Sequence, residues 1–213
     1  MKIALIGATG FVGNYILKEA LNRGYEITGI SRHPERLPEH KNLEGIKADI
    51  MDVNETSKIL KGHDVVISAF NPGWDNPDIY DLYIKGINSI LNELKNSGIK
   101  RFIIIGGAGS LEIKPGVQLV DTPDFPKEYK EGALAARDVL LIIKKKNDLD
   151  WTFLSPSILL QPGKRTGNFR YGTDQVLFDK NGESKISVQD LAVAIVDEIE
   201  NPRYIKKRFT VGY

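Results

Sequence analysis

Three glycines define the chemistry open to this chain. In Gly7-Ala8-Thr9-Gly10-Phe11-Val12-Gly13 they recur every third residue. The run Lys2-Ile3-Ala4-Leu5-Ile6 before them is apolar and predicts a buried strand. Tyr15 to Arg23 predicts a helix that ends at Gly24. Gly7 can take the turn's special dihedrals, Gly10 lets backbone approach a pyrophosphate, and Gly13 lets the helix pack closely on the sheet. The free amides and positive end of the helix then face the phosphates. Gly7, Thr9, Gly10, Phe11, Val12 and Gly13 are therefore expected to hold a dinucleotide.

The next informative residues follow the second predicted strand, Tyr25 to Ile30. A site selective for a free ribose carries a carboxylate there. This chain has Ser31-Arg32-His33 instead. A guanidinium can make paired, charge-assisted bonds to a phosphate. Ser31 and Arg32 therefore predict a 2′-phosphate contact and NADP(H) preferred, with NAD(H) possible. Phe70 and Trp74 flank Pro72-Gly73. They predict either loop packing or stacking on a nicotinamide or planar acceptor. His40 and His63 lie in predicted turns and are expected on the surface. Lys144-Lys145-Lys146 complements a helix end, and Lys206-Lys207-Arg208 reads as a solvated strand entry. Asp52 reads as a helix cap, and no metal site is expected.

These residues need a frame. Further strands are predicted at Leu43–Ala48, Asp64–Ser68, Arg101–Ile105, Trp151–Leu154 and Arg208–Val211. Helices are predicted from an Asp-x-x-Glu start at Asp52 to about Lys61, from Asn76-Pro77 to Gly98, from Pro126 to about Lys146, and from Val188 to Ile199 after Ser184 or Ser187. A long loop covers Leu111 to about Phe125. Residues 161–185 predict a short hairpin that pairs Phe169–Tyr171 with Gln175–Phe178. The alternation gives an α/β class: a Rossmann-type doubly wound parallel sheet with a small C-terminal hairpin and helix extension. Ligands in such sheets lie beyond the carboxyl ends of the strands. Residues 7–13, 31–33, 69–74, 106–110 and 155–162 should thus share one cleft. Ala69, Phe70, Gly106, Gly107 and Ser155 are its expected cofactor-side positions. The whole chain, 1–213, reads as a single dinucleotide-binding domain, with acceptor-site elements mainly in 106–130 and 155–185.

Composition narrows the function. Basic and acidic residues nearly cancel, 29 against 28, so no global field draws nucleic acid or an anionic membrane. There are no cysteines, which excludes disulfides and thiolate chemistry. No apolar run is long enough for a membrane span, and Met1 leads straight into the first strand. A cytoplasmic protein is expected, a monomer or homodimer with a small-molecule acceptor as its partner.

The glycine tract resembles the opening of the atypical short-chain dehydrogenase/reductase-like proteins with an NAD(P)H-binding domain. Gly106-Gly107-Ala108-Gly109-Ser110-Leu111, Trp151-Thr152-Phe153-Leu154-Ser155-Pro156 and Arg208-Phe209-Thr210-Val211-Gly212-Tyr213 look like the NADH-flavin reductase group within them. The resemblance implies a nicotinamide cofactor and a flavin or quinone-like acceptor. In related folds an acid at Asp49 meets the adenine; it reads equally as a surface loop acid. The larger dehydrogenase family pairs a Tyr with a Lys four residues later and a Ser after the fifth strand. Ser110 and Tyr129 hold the corresponding catalytic positions here, but Ala133 stands where the Lys belongs. That departure weighs against alcohol or ketone chemistry, which needs an activated phenol, and less against a flavin or quinone. Ser110 is then expected to orient the acceptor or the nicotinamide. The alternatives are a non-catalytic dinucleotide-binding redox regulator and a sugar-nucleotide or ketone reductase-epimerase of the extended type.

Overall fold

The computed structural model describes residues 1–52 and 59–213; the helix predicted to follow Asp52 falls mostly on residues 53–58, outside the described residues. Eight strands form the main sheet. They are β1 (Lys2–Ile6), β2 (Glu26–Ser31), β3 (Leu43–Lys47), β4 (Val65–Ser68), β5 (Arg101–Ile105), β8 (Asp150–Ser155), β10 (Arg170–Gly172) and β12 (Lys207–Gly212). Their order is β10-β12-β8-β5-β4-β1-β2-β3, and every pairing is parallel except β10 with β12. The chain builds β1, β2 and β3 outward in one direction, then returns to lay β4 on the other side of β1. The loops after β1 and β4 therefore diverge, and a crevice opens between them at the carboxyl edge.

The predicted strands are present because their apolar runs are covered on both faces. One face packs on helices α2 (Ile79–Ser97) and α3 (Lys127–Lys144), with Ile87, Ile90, Phe102, Val139, Leu140 and Phe153 at its centre. The other packs on α1 (Phe11–Asn22) and α4 (Val188–Glu200), with Ile3, Leu5, Leu17, Ile67, Ile195 and Phe209 buried together. Local signals end and begin these helices. Gly98 closes α2 at φ 76°, and the Ser187 hydroxyl accepts from the Asp190 amide at 3.0 Å to open α4.

Two expectations change. The long loop carries its own small hairpin, β6 (Glu112–Lys114) and β7 (Val117–Gln118), turned at Pro115-Gly116. The hairpin expected within 169–178 does not form: Arg170–Gly172 pairs antiparallel with β12. The edge of β12 offers a row of unmatched backbone groups, a stronger template than a local turn. A second short pair, β9 (Leu159–Gln161) with β11 (Lys185–Ser187), is parallel and spans the rest of that segment.

Candidate cofactor and acceptor site

The glycine turn is built as its spacing requires. Gly7 has φ 79°, and a Cβ there would lie 2.7 Å from the Ala69 carbonyl oxygen. A Cβ on Gly13 would lie 2.1 Å from the Gly7 carbonyl oxygen. These two positions therefore exclude any side chain. Gly10 differs: its φ is −75°, and a Cβ would meet only the Gly7 oxygen, at 3.2 Å. Its need for glycine points outward, toward whatever lies on the exposed side of the turn. Gly10 caps α1 with no side-chain bond to the first helical amides, and Gly10 and Phe11 are exposed. Thr9 and Val12 are half-buried. Unspent amides, a helix dipole and a cleared surface fit a pyrophosphate.

At the end of β2, Arg32 is exposed and makes no hydrogen bond or ion pair among the described residues. The Ser31 hydroxyl accepts from the His33 amide at 3.1 Å. The His33 ring sits 3.1 Å from Glu35, whose carboxyl is held low chiefly by its own backbone amide and then by His33. Asp49 is exposed, and its carboxylate accepts from the Met51 amide at 2.9 Å. His63 is not the surface residue expected: its ring nitrogens lie 2.9 Å from the Leu60 carbonyl and 2.8 Å from the Thr28 hydroxyl.

Phe70, expected at the cofactor, turns its ring inward. It lies over Gly86 and 6.1 Å from the Tyr83 ring, which leaves the backbone of Ala69 and Phe70 to face the crevice beside Gly7. Gly106 sits flat against the Phe153 ring, with 2.0 Å from its missing Cβ to that ring, and Gly107 packs near Ala136. Gly106 thus brings the loop after β5 onto β8, and Gly107 brings it close to α3. Ser155 is buried, and its hydroxyl has no hydrogen-bond partner among the described residues.

The acceptor side departs further from the sequence reading. Ser110 is 1% exposed, and Arg208 Nη1 donates to its carbonyl at 2.7 Å and to its hydroxyl at 3.1 Å. Arg208, read as part of a solvated charge run, is buried; its Nε donates to Asp174 at 3.0 Å, and Nη2 binds the same carboxylate. The signal was present in Arg208-Phe209-Thr210-Val211. Strand alternation puts Arg208 and Thr210 on one face, opposite Phe209 and Val211. Tyr129 is exposed at the start of α3, where its ring meets Trp74 edge to face at 5.5 Å. No local signal marks Gly132 as the seat of that indole, 58 residues along the chain.

A glycine turn at the point where a parallel sheet reverses direction, with a helix N-terminus over a cleared surface, defines an NAD(P)-binding Rossmann protein. Residues 7–202 match the model of the NAD(P)H-binding family, and the chain belongs to that family. It is 38% identical over 216 residues to the uncharacterized protein YwnB of Bacillus subtilis, covering 99% of this chain and 98% of that one. A solved structure from Bacteroides thetaiotaomicron, named "putative epimerase", is 45% identical with a TM-score of 0.94, covering 100% of this chain and 96% of that one. Another, from Streptococcus pneumoniae and named "putative NADH-flavin reductase", is 39% identical with a TM-score of 0.86, covering 100% and 99%. The two names assign different chemistries to one fold. Among the described residues no helix is long and apolar enough to cross a membrane.

Proposed function

We propose that the protein is an NAD(P)H-dependent oxidoreductase that passes hydride to a flavin, quinone or similar conjugated ring, with NADPH preferred. The observation that carries this reading is the undone proton relay. Tyr129 meets Trp74 edge to face with Ala133, not a lysine, one turn beyond it, and the Ser110 hydroxyl oxygen accepts from Arg208. A ketone must receive a proton as its oxygen gains charge. A conjugated ring spreads that charge and takes its proton from water.

The bound nicotinamide supplies the hydride. The chain's own groups do the positioning. The amides at Phe11 and Val12 would hold the pyrophosphate over Gly10, Ser31 and Arg32 the 2′-phosphate, and Asp49 the adenine. Ala69, Phe70, Gly106, Gly107 and Ser155 would line the nicotinamide side, chiefly through backbone. The overall change is NADPH plus oxidised acceptor plus one proton, giving NADP+ and the two-electron-reduced acceptor. The proposal includes action as a monomer or homodimer in the cytoplasm, where the reduced cofactor is kept; sedimentation and cell fractionation check those two parts.

The direct test follows NADPH consumption against FMN, menadione and an aliphatic aldehyde. Turnover with the ring acceptors and none with the aldehyde is expected. Turnover with the aldehyde alone would overturn the assignment of acceptor class.

A further inference from the structure

We propose that Trp74 and Tyr129 form a preset aromatic platform on which the acceptor's ring docks, which makes them the specificity-determining contacts of the site. This rests on the oxidoreductase reading above. Trp74 is 51% exposed and Tyr129 48% exposed, whereas the other tryptophan, Trp151, is 3% exposed. Covering an indole is strongly favourable, so a half-exposed one that is held in place calls for an explanation.

Trp74 is held in place. A Cβ on Gly132 would lie 2.5 Å from the indole's Cζ3 and 2.9 Å from Ile79 Cδ1. Glycine is a poor residue for a helix interior, and Gly132 lies inside α3. Its place there gives the indole a seat without covering it. The loop beneath is fixed as well. Gly73 has φ 113°, its amide donates to the Asn71 side chain at 2.7 Å, and its carbonyl accepts from the Asn76 amide at 3.2 Å. The Tyr80 hydroxyl donates to Asp138 at 2.6 Å and ties α2 to α3, the helix that carries Tyr129 and Gly132. Tyr129 meets the indole at 88°, and its hydroxyl has no partner among the described residues.

The position fits an acceptor. The loop that ends in Trp74 begins at Ala69, whose carbonyl lies against Gly7 of the dinucleotide turn. On the other side, Gly109 lies against Ala133, the residue after Gly132. The two supports of the platform, the 69–74 loop and α3, are thus the neighbours of the glycine turn and of the loop that carries Gly106 to Ser110. A flat ring laid there adjoins the crevice, while an aliphatic carbonyl offers nothing for the rings to stack on.

The test uses the full chain with FMN and menadione as probes. Trp74→Ala is expected to raise KM for both about tenfold, from the lost stacking, with kcat less affected and NADPH affinity within about twofold of wild type. Trp74→Phe should recover most of the KM. Calorimetric binding of oxidised FMN to the NADP+-loaded protein should weaken by the same factor. An unchanged KM and FMN affinity in Trp74→Ala would overturn the platform, as would an equal loss of NADPH affinity. So would a changed sedimentation coefficient in Trp74→Ala, which would mark the face as a contact between copies. If wild type binds FMN in a Trp74-dependent way but never reduces it, the oxidoreductase reading falls and the platform stands.

Discussion

The two sides of the crevice are made by different means. The cofactor side, from β1 to β3, is backbone work: Gly7 and Gly13 are shaped by carbonyl oxygens 2.7 and 2.1 Å from where a Cβ would be. The other half of the sheet, from β5 to β12, is tied by buried carboxylates, Glu198 at its amino edge and Asp190 at its carboxyl edge. Glu198 accepts from Arg101 at 3.0 Å, from the Thr152 hydroxyl at 3.3 Å, and from the amides of Arg203 and Tyr204 at 2.9 and 3.0 Å. Asp190 accepts from the Thr166 and Gly167 amides, the Thr166 hydroxyl and Tyr213, all within 2.8 Å. Backbone turns hold a shape that is the same in related dinucleotide sites. Carboxylate clamps are made from side chains that can be exchanged, so this half of the sheet is held by replaceable parts.

Substitutions on the two sides should therefore fail differently. Gly13→Val should have the largest effect, because its Cβ has no room beside the Gly7 carbonyl; a loss of about 3 kcal/mol or more is expected in denaturant titration. Gly10→Leu should instead keep the melting temperature and abolish dinucleotide binding, since only the exposed side is filled. Equal melting losses in both variants would break the distinction between the inner and outer glycines.

At the amino edge of the other half of the sheet, Glu198→Ala leaves the largely buried Arg101 uncompensated. It should cost about 3–5 kcal/mol by chemical unfolding. Arg32→Ala should weaken NADPH binding about ten- to a hundredfold and leave NADH nearly unchanged, measured by cofactor fluorescence at low salt. Equal losses for both cofactors would make Arg32 a surface residue.

Glu19 offers a pH test. Its carboxyl accepts from Arg165 at 2.7 and 2.8 Å and from Arg23 at 2.8 Å. The bonds from Arg165, then those from Arg23, hold its pKa below the ordinary value despite burial. A depressed carboxylate stabilises the fold above its unfolded pKa and loses that contribution as pH falls through the folded one. Wild type should lose stability on acidification below about pH 4.5 more steeply than Glu19→Gln. The smallest effect is expected from Tyr129→Phe, which keeps the ring on Trp74; turnover with menadione should change less than about threefold. A loss of several powers of ten would mean that the phenol donates a proton after all.

The same contrast explains what could be read in advance. The glycine turn, the strand runs and the caps at Gly98 and Ser187 are local signals, each complete within a few residues. The class of fold and the place of the cleft followed from them. Arg208 was misread because Lys206-Lys207-Arg208 looks like a charge run, while its partner Ser110 lies 98 residues away. His63 was misread because Thr28, which fixes its ring, belongs to another strand. Gly132 carries no sign of Trp74 in its own neighbourhood. The hairpin expected of Phe169–Tyr171 with Gln175–Phe178 failed for the same reason: the better partner was the last strand of the chain.

The packing of α1 against α4 also has a consequence in time. Ile16, Leu17 and Ala20 of α1 share their cluster with Leu191, Ala194 and Ile195 of α4, and Arg23 at the end of α1 bonds Asp197, 174 residues later. A ribosome makes one partner long before the other. Until residues 188–200 leave the exit tunnel, the first helix has an apolar stripe with no native cover. Most of the sheet can pair in that interval, yet the nascent chain stays sticky on this face, a natural target for chaperones. Closure of the native layer waits for nearly the whole polypeptide.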